Sequence, residues 1–128
     1  MNNQKSKIMK VEDIVSDINK VLEYMVFCLQ PADPYKVILF GSYANGTPNE
    51  HSDIDIMVIL DNYHVSKTYE ERRSIKLSVR KLLREVNRKF ALDVLVYSRE
   101  ELKMIKEYGN YFVEEIEKTG KVLYEKGS

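Results

Sequence analysis

The stretch Val37-Ile38-Leu39-Phe40-Gly41-Ser42-Tyr43-Ala44-Asn45-Gly46, followed after a short spacer by Ser52-Asp53-Ile54-Asp55-Ile56, decides the fold. Val37–Phe40 reads as a buried strand that stops at Gly41. Asp53 to Leu60 reads as a second strand, with Ile54, Ile56, Val58 and Leu60 on one face and Asp53 and Asp55 on the other. Side chains alternate across a strand, so the two aspartates project the same way, roughly 7 Å apart at their roots. Two acids side by side with no cation between them repel each other. The arrangement makes sense where divalent metal ions bind, and hard oxygen ligands suit magnesium. The turn after Phe40 offers backbone N–H groups and the Ser42 hydroxyl to anionic oxygens, the more so if a short helix starts there. Together these residues describe a site for a nucleoside triphosphate with its metals. The bland alternative is a turn followed by a solvated strand edge. A D-x-D pair alone would leave that alternative open, but a glycine–serine turn and the pair at two strand ends form a far more specific combination.

A further acid lies downstream. Ala91-Leu92-Asp93-Val94-Leu95-Val96-Tyr97 is a β-rich run with one carboxylate inside it, and an aspartate in such a strand is costly to bury unless paired or metal-bound. Its alternative is an aspartate at a frayed strand start or capping a turn.

The pattern G-S-x-A-x-G followed by S-D-I-D-I resembles the signature of the polymerase-beta-like nucleotidyltransferase superfamily. The short length is similar to that of its minimal members (the MNT type), antitoxin-like proteins often paired with HEPN-domain partners. The resemblance runs from the strand at Lys36 to the end of the chain. It implies a small mixed β-sheet with helices packed against it. It implies that Asp53, Asp55 and Asp93 are catalytic and metal-binding, the first two holding two Mg2+ ions and Asp93 completing the site beside the incoming hydroxyl. Gly41, Ser42 and Asn45 fall in the nucleotide-binding loop. The implied reaction is transfer of a nucleoside monophosphate, AMP from ATP in the minimal group, onto a tyrosine of a HEPN toxin. Many relatives carry arginine where this chain has Asn45, which leaves one cation fewer for the nucleotide. Two other readings stand beside this one: a binding module that neutralises a toxin by contact, with catalysis weak or lost, and an antibiotic-type transferase acting on a small molecule. Antibiotic-modifying relatives carry an additional helical acceptor domain, for which the roughly thirty residues after the core sheet are too few. The acceptor is then supplied by a partner, or is small and held by a second subunit of a homo- or hetero-oligomer, and the sequence favours a protein acceptor over an aminoglycoside.

Composition agrees with one small α/β domain spanning 1–128. Lys+Arg and Asp+Glu are both 20, so the formal charge is zero, whereas a generic nucleic-acid binder shows a basic excess. The one cysteine, Cys28, excludes an internal disulfide and fits a cytoplasmic protein. No stretch approaches the ~20 apolar residues of a membrane span, and the polar start Met1-Asn2-Asn3-Gln4-Lys5 is no signal peptide. Along the chain, Val11–Gln30 reads as an amphipathic helix ended by Pro31 and Pro34. A basic helix over Thr68–Phe90 buries Ile75, Val79, Leu82, Val86 and Phe90. Ser98 and Glu101 form a capping box, opening a helix through about Glu107. Asn110–Lys118 is a further helix ended by Gly120, and Val122–Tyr124 a last short strand. His51 reads as a solvated loop residue, Tyr108 and Tyr111 as packing residues. Tyr43 reads either as a base-stacking ring or as filler beneath its loop.

Overall fold

The structure, a computed structural model, describes residues 10–127, so the polar start Met1–Lys5 lies outside the described residues. Its centre is a four-stranded mixed sheet of order β3-β2-β1-β4, built from β1 (Pro34–Phe40), β2 (Ile54–Leu60), β3 (Leu92–Ser98) and β4 (Lys121–Glu125). β1 runs antiparallel to β2 and to β4, while β2 and β3 are parallel. A parallel pair needs a long crossover, supplied here by α4 (Tyr69–Leu82) and α5 (Arg84–Asn87).

Alternation along β2 explains the two layers. Ile54, Ile56, Val58 and Leu60 face one core with Val37, Leu39 and Val94. That core is covered by α1 (Val11–Ile14), α2 (Ile18–Leu29), α4 and α5. Met57 and Ile59 face a second, smaller core with Ile38 and Phe40. It is covered by Leu102 of α6 (Arg99–Glu107) and by Val113 and Ile116 of α7 (Tyr111–Thr119). Both faces of the central strand are thus apolar, except where Asp55 interrupts the second.

The two long helices expected from the sequence break where the backbone finds a local partner. The first helix is two: the chain turns at Val15–Ser16, and Asp17 caps α2 by accepting from the N–H groups of Asn19 (3.1 Å) and Lys20 (3.4 Å). A cap of this kind offers the backbone an alternative to continuing the helix. Pro31 sits inside a 3-10 turn, Gln30–Ala32, and Pro34 opens β1, a strand three residues longer than Val37–Phe40. Proline is tolerated at a first strand position because it has no ladder bond to donate there. The basic helix also interrupts at Leu83, whose N–H bonds back to the Arg80 carbonyl at 2.9 Å. That tightened turn rephases the stripe, so Leu83 is fully buried in place of Leu82. The expected capping box is present at Ser98 and Glu101. Gly120 does end α7, but with an extended backbone rather than a left-handed one. Its need for glycine is space: a Cβ there would run into the Ile116 carbonyl oxygen and lie 2.6 Å from the Ile38 side chain. No helix among the described residues is long and apolar enough to cross a membrane.

Candidate active site

Strand register gathers the acids. Asp55 is the partner of Asp93 across the parallel β2–β3 pair and of Phe40 across the β1–β2 pair. Registered neighbours point to the same side of a sheet, so Asp55 and Asp93 stand side by side. Asp53, just before β2, joins them at the same end of the sheet, and its charge reaches Asp55. The Ile54 N–H donates to the Ala91 carbonyl at 2.9 Å and ties the starts of the two strands together. Ahead of them a turn holds Asp53 in place, with the Asn49 N–H donating to the Ser52 hydroxyl (2.9 Å) and the His51 N–H to Asn49 Oδ1 (2.8 Å).

The three acids differ in burial. Asp55 is half-buried, while Asp53 and Asp93 are exposed. For Asp93 this corrects the sequence argument: β3 is an edge strand, so the acid escapes the desolvation cost that seemed to demand a partner. Its place in the site rests on register instead. Burial raises the Asp55 carboxyl above the ordinary aspartate range, and the neighbouring charges of Asp93 and then Asp53 raise it further. None of the three makes a hydrogen bond or ion pair among the described residues. The opposite end of the sheet shows the usual arrangement. There Lys126 bridges Asp33 (2.9 Å) and Asp61 (2.7 Å), and Arg99 reaches Asp61 at 3.0 Å.

The glycine–serine turn closes against these acids. Gly41 has φ +75° and ψ −157°, a region open essentially to glycine alone. A Cβ there would collide with Asp55 Oδ2 and stand 3.1 Å from its Cγ. Gly41 thus allows the carboxylate to lie directly against the backbone. α3 (Ser42–Asn45) follows, its first closing bonds running from the Ala44 and Asn45 N–H groups to the Gly41 carbonyl, both 3.1 Å. The Ser42 and Tyr43 N–H groups precede those bonds and have no intrahelical acceptor. The Ser42 hydroxyl caps nothing. Asn45 is exposed at the far end of this single turn, beside Gly46. Tyr43 packs half-buried against the larger core, filling space beneath its loop.

Among the described residues no three His, Cys, Asp or Glu side chains are close enough to cage an ion unaided. The donor set suits a different arrangement. Magnesium is commonly held by one or two carboxylates plus substrate phosphates rather than by an all-protein cage. Unpaired carboxylates abutting free turn N–H groups offer the two halves of that arrangement.

Sequence reasoning missed two neighbours of the site. Arg80 donates to the Leu92 carbonyl at 3.4 Å, placing its guanidinium one residue from Asp93; nothing in the sequence separated it from the other cations of its helix. Phe112 packs edge-on against Phe40, centroids 5.8 Å apart, beside the strand position registered with Asp55. His51 is a solvated loop residue, paired only with the equally exposed Glu50. Tyr108 and Tyr111 do not pack: they are 86% and 88% exposed.

Comparison with known proteins agrees with this fold. Over 48 residues the chain is 46% identical to an inferred protein adenylyltransferase of Methanocaldococcus jannaschii, MJ1305; the match covers 35% of this chain and spans only 33% of that relative. An inferred nucleotidyltransferase from Sulfolobus solfataricus superposes with a TM-score of 0.55 at 19% identity, over 88% of this chain and 86% of that one. A toxin–antitoxin structure with AMP-PNP superposes with a TM-score of 0.53 at 21% identity, over 83% and 74%. Similarity at that identity speaks for the fold. The family model for polymerase beta nucleotidyltransferases matches residues 25–128, and the chain belongs to that family.

Proposed function

We propose that this protein is a magnesium-dependent nucleotidyltransferase that moves AMP from ATP to a hydroxyl of a partner protein, a HEPN-type toxin tyrosine, and so acts as an antitoxin in the cytoplasm. The observation that carries the reading is the end of the sheet where Asp53, Asp55 and Asp93 stand beside Gly41 with no ion-pair partner among the described residues. Magnesium bound with the nucleotide would neutralise phosphate charge and lower the acidity barrier of the attacking hydroxyl. Asp53 and Asp55 would hold it. Free N–H groups at the start of α3, with the Ser42 hydroxyl, hold the outer phosphates, so negative charge leaving as pyrophosphate is already compensated. Asp93 on the exposed edge strand faces the arriving acceptor and accepts its proton. The acceptor oxygen bonds to the α-phosphorus as the bond to the bridging oxygen of the β-phosphate breaks in line.

A protein acceptor draws support from the name of the archaeal relative, a protein adenylyltransferase, and from the toxin–antitoxin structure that contains AMP-PNP. A docking face is also available. Arg73, Lys81, Arg84, Arg88 and Lys89 are exposed and form no ion pair among the described residues, a surface suited to an acidic, helical partner. The test is incubation of the protein and the product of its neighbouring gene with each α-labelled nucleoside triphosphate and magnesium. Label on the neighbour identifies base and acceptor together. A tight complex that takes up no label from any nucleotide favours a binding module instead.

A further inference from the structure

The aromatic side chains at the start of α7 stay largely outside the smaller core. Phe112 is 56% exposed and Tyr111 88%, although Val113 and Ile116 of the same helix are fully engaged in the smaller core. Among the described residues the only ring Phe112 meets is Phe40, edge-on. Phe40 is the last residue of β1, precedes Gly41, and is registered with Asp55. Phe112 therefore stands within about 10 Å of the carboxylate end, roughly two strand spacings, on the face where Asp55 and Asp93 project. An anion held at the α3 turn with a metal at Asp55 would have this face within reach of the rest of its molecule. Edge contact with Phe40 fixes the orientation of the Phe112 ring and leaves much of it open.

From this placement we propose that Phe112 is the base-stacking residue of the nucleotide site, with Phe40 as the strut that orients it. The proposal rests on the nucleotide-transfer reading above and adds the part of the substrate that the acids and the turn do not touch. A flat π-face is recognised by a flat apolar ring with little demand on base identity. Phe112 therefore supplies affinity for a nucleoside over bare phosphate, and selection among bases falls to other contacts.

The chain contains no tryptophan, so Phe112→Trp installs a single clean reporter at the proposed stack. Magnesium–ATP should quench its fluorescence, and magnesium–tripolyphosphate, which has no base, should not. By titration calorimetry, Phe112→Ala should weaken magnesium–ATP about tenfold to a hundredfold, the range that base–aromatic stacking supports. Its affinity for magnesium–tripolyphosphate should match the wild type. Phe112→Tyr keeps the ring and should keep ATP affinity. Wild-type ATP binding that Phe112→Ala leaves unchanged, with no quenching in Phe112→Trp, overturns the stack alone. So does unchanged ATP binding with weakened transfer to a protein acceptor, which makes the ring a partner contact. Failure of the wild type to bind magnesium–ATP overturns the nucleotide-transfer reading and the stack with it.

Discussion

Gly41 and Asp55 should behave as one unit, and a double-mutant cycle measures it. Gly41→Ala forces a side chain onto a backbone at φ +75°, ψ −157°, which costs about 1–3 kcal/mol in this glycine-only region. The new Cβ also overlaps Asp55 Oδ2 and crowds its Cγ at 3.1 Å. Swinging the half-buried carboxylate away adds about 1–3 kcal/mol, the usual cost of overpacking. The single variant should therefore lose about 2–6 kcal/mol, a large share of the roughly 5–15 kcal/mol that holds a domain together. In an Asp55→Ala background only the Cβ of residue 55 remains, at an ordinary 3.4 Å. There Gly41→Ala should cost only the backbone strain. Urea unfolding of the four proteins should give a coupling of about 1–3 kcal/mol. Additivity within about 0.5 kcal/mol, the behaviour of independent sites, would refute the claim that glycine is present to admit the carboxylate.

Asp55→Asn should leave thermal stability the same or higher at neutral pH. Its folded carboxyl titrates above the unfolded one, so ionisation opposes folding above the folded pKa and the opposition fades as pH falls through it. The gain over wild type should shrink on acidification in thermal scans, and a large loss at pH 7 would make Asp55 a structural residue. Ser42→Ala should weaken ATP binding by about 1.5–3 kcal/mol, the worth of a hydrogen bond to a charged group; unchanged affinity by calorimetry would remove the hydroxyl from the phosphate site. Glu101→Ala should be strongly destabilising. Its carboxylate accepts from the N–H groups of Ser66 and Ser98, both at 2.9 Å, and each orphaned donor costs about 1–3 kcal/mol. Burial pushes the Glu101 carboxyl up, but these N–H groups and Arg72 outweigh it and hold it below the ordinary range. Its stabilisation is therefore full at neutral pH and lost as pH falls through that lowered value, which acid unfolding of wild type and Glu101→Gln should reveal. Charge reversal at Arg73 and Arg84 should weaken the partner complex and flatten its salt dependence, since exposed pairs are screened; unchanged binding removes this face from the interface.

The sheet and its carboxylate end were legible because strand alternation and the glycine–serine turn are local signals. Asp53, Asp55 and Gly41 declare themselves within one short stretch. What the sequence hid was relational. Asp93 belongs with Asp55 because β3 runs parallel to β2 in one register, a fact its own residues do not carry. Burial was misjudged for the same reason, since an edge strand and a central strand can look alike. The helix breaks at Ser16 and Leu83 were set by a cap and a tightened turn, both weaker in sequence than the apolar stripe running through them. Phe112 carries no local mark at all. Its relation to Asp55 passes through Phe40 and a strand pairing.

The central claim is that the chain transfers the α-phosphate of a nucleotide with its nucleoside attached. The most direct measurement compares ATP labelled at the α-phosphate with ATP labelled at the γ-phosphate, given to the protein and its protein acceptor with magnesium or with a chelator. Label is expected on the acceptor from the α position alone, with pyrophosphate carrying the γ label, and neither product with the chelator or in Asp53→Asn. Acceptor labelled from the γ position, or labelling that survives the loss of Asp53, would contradict it.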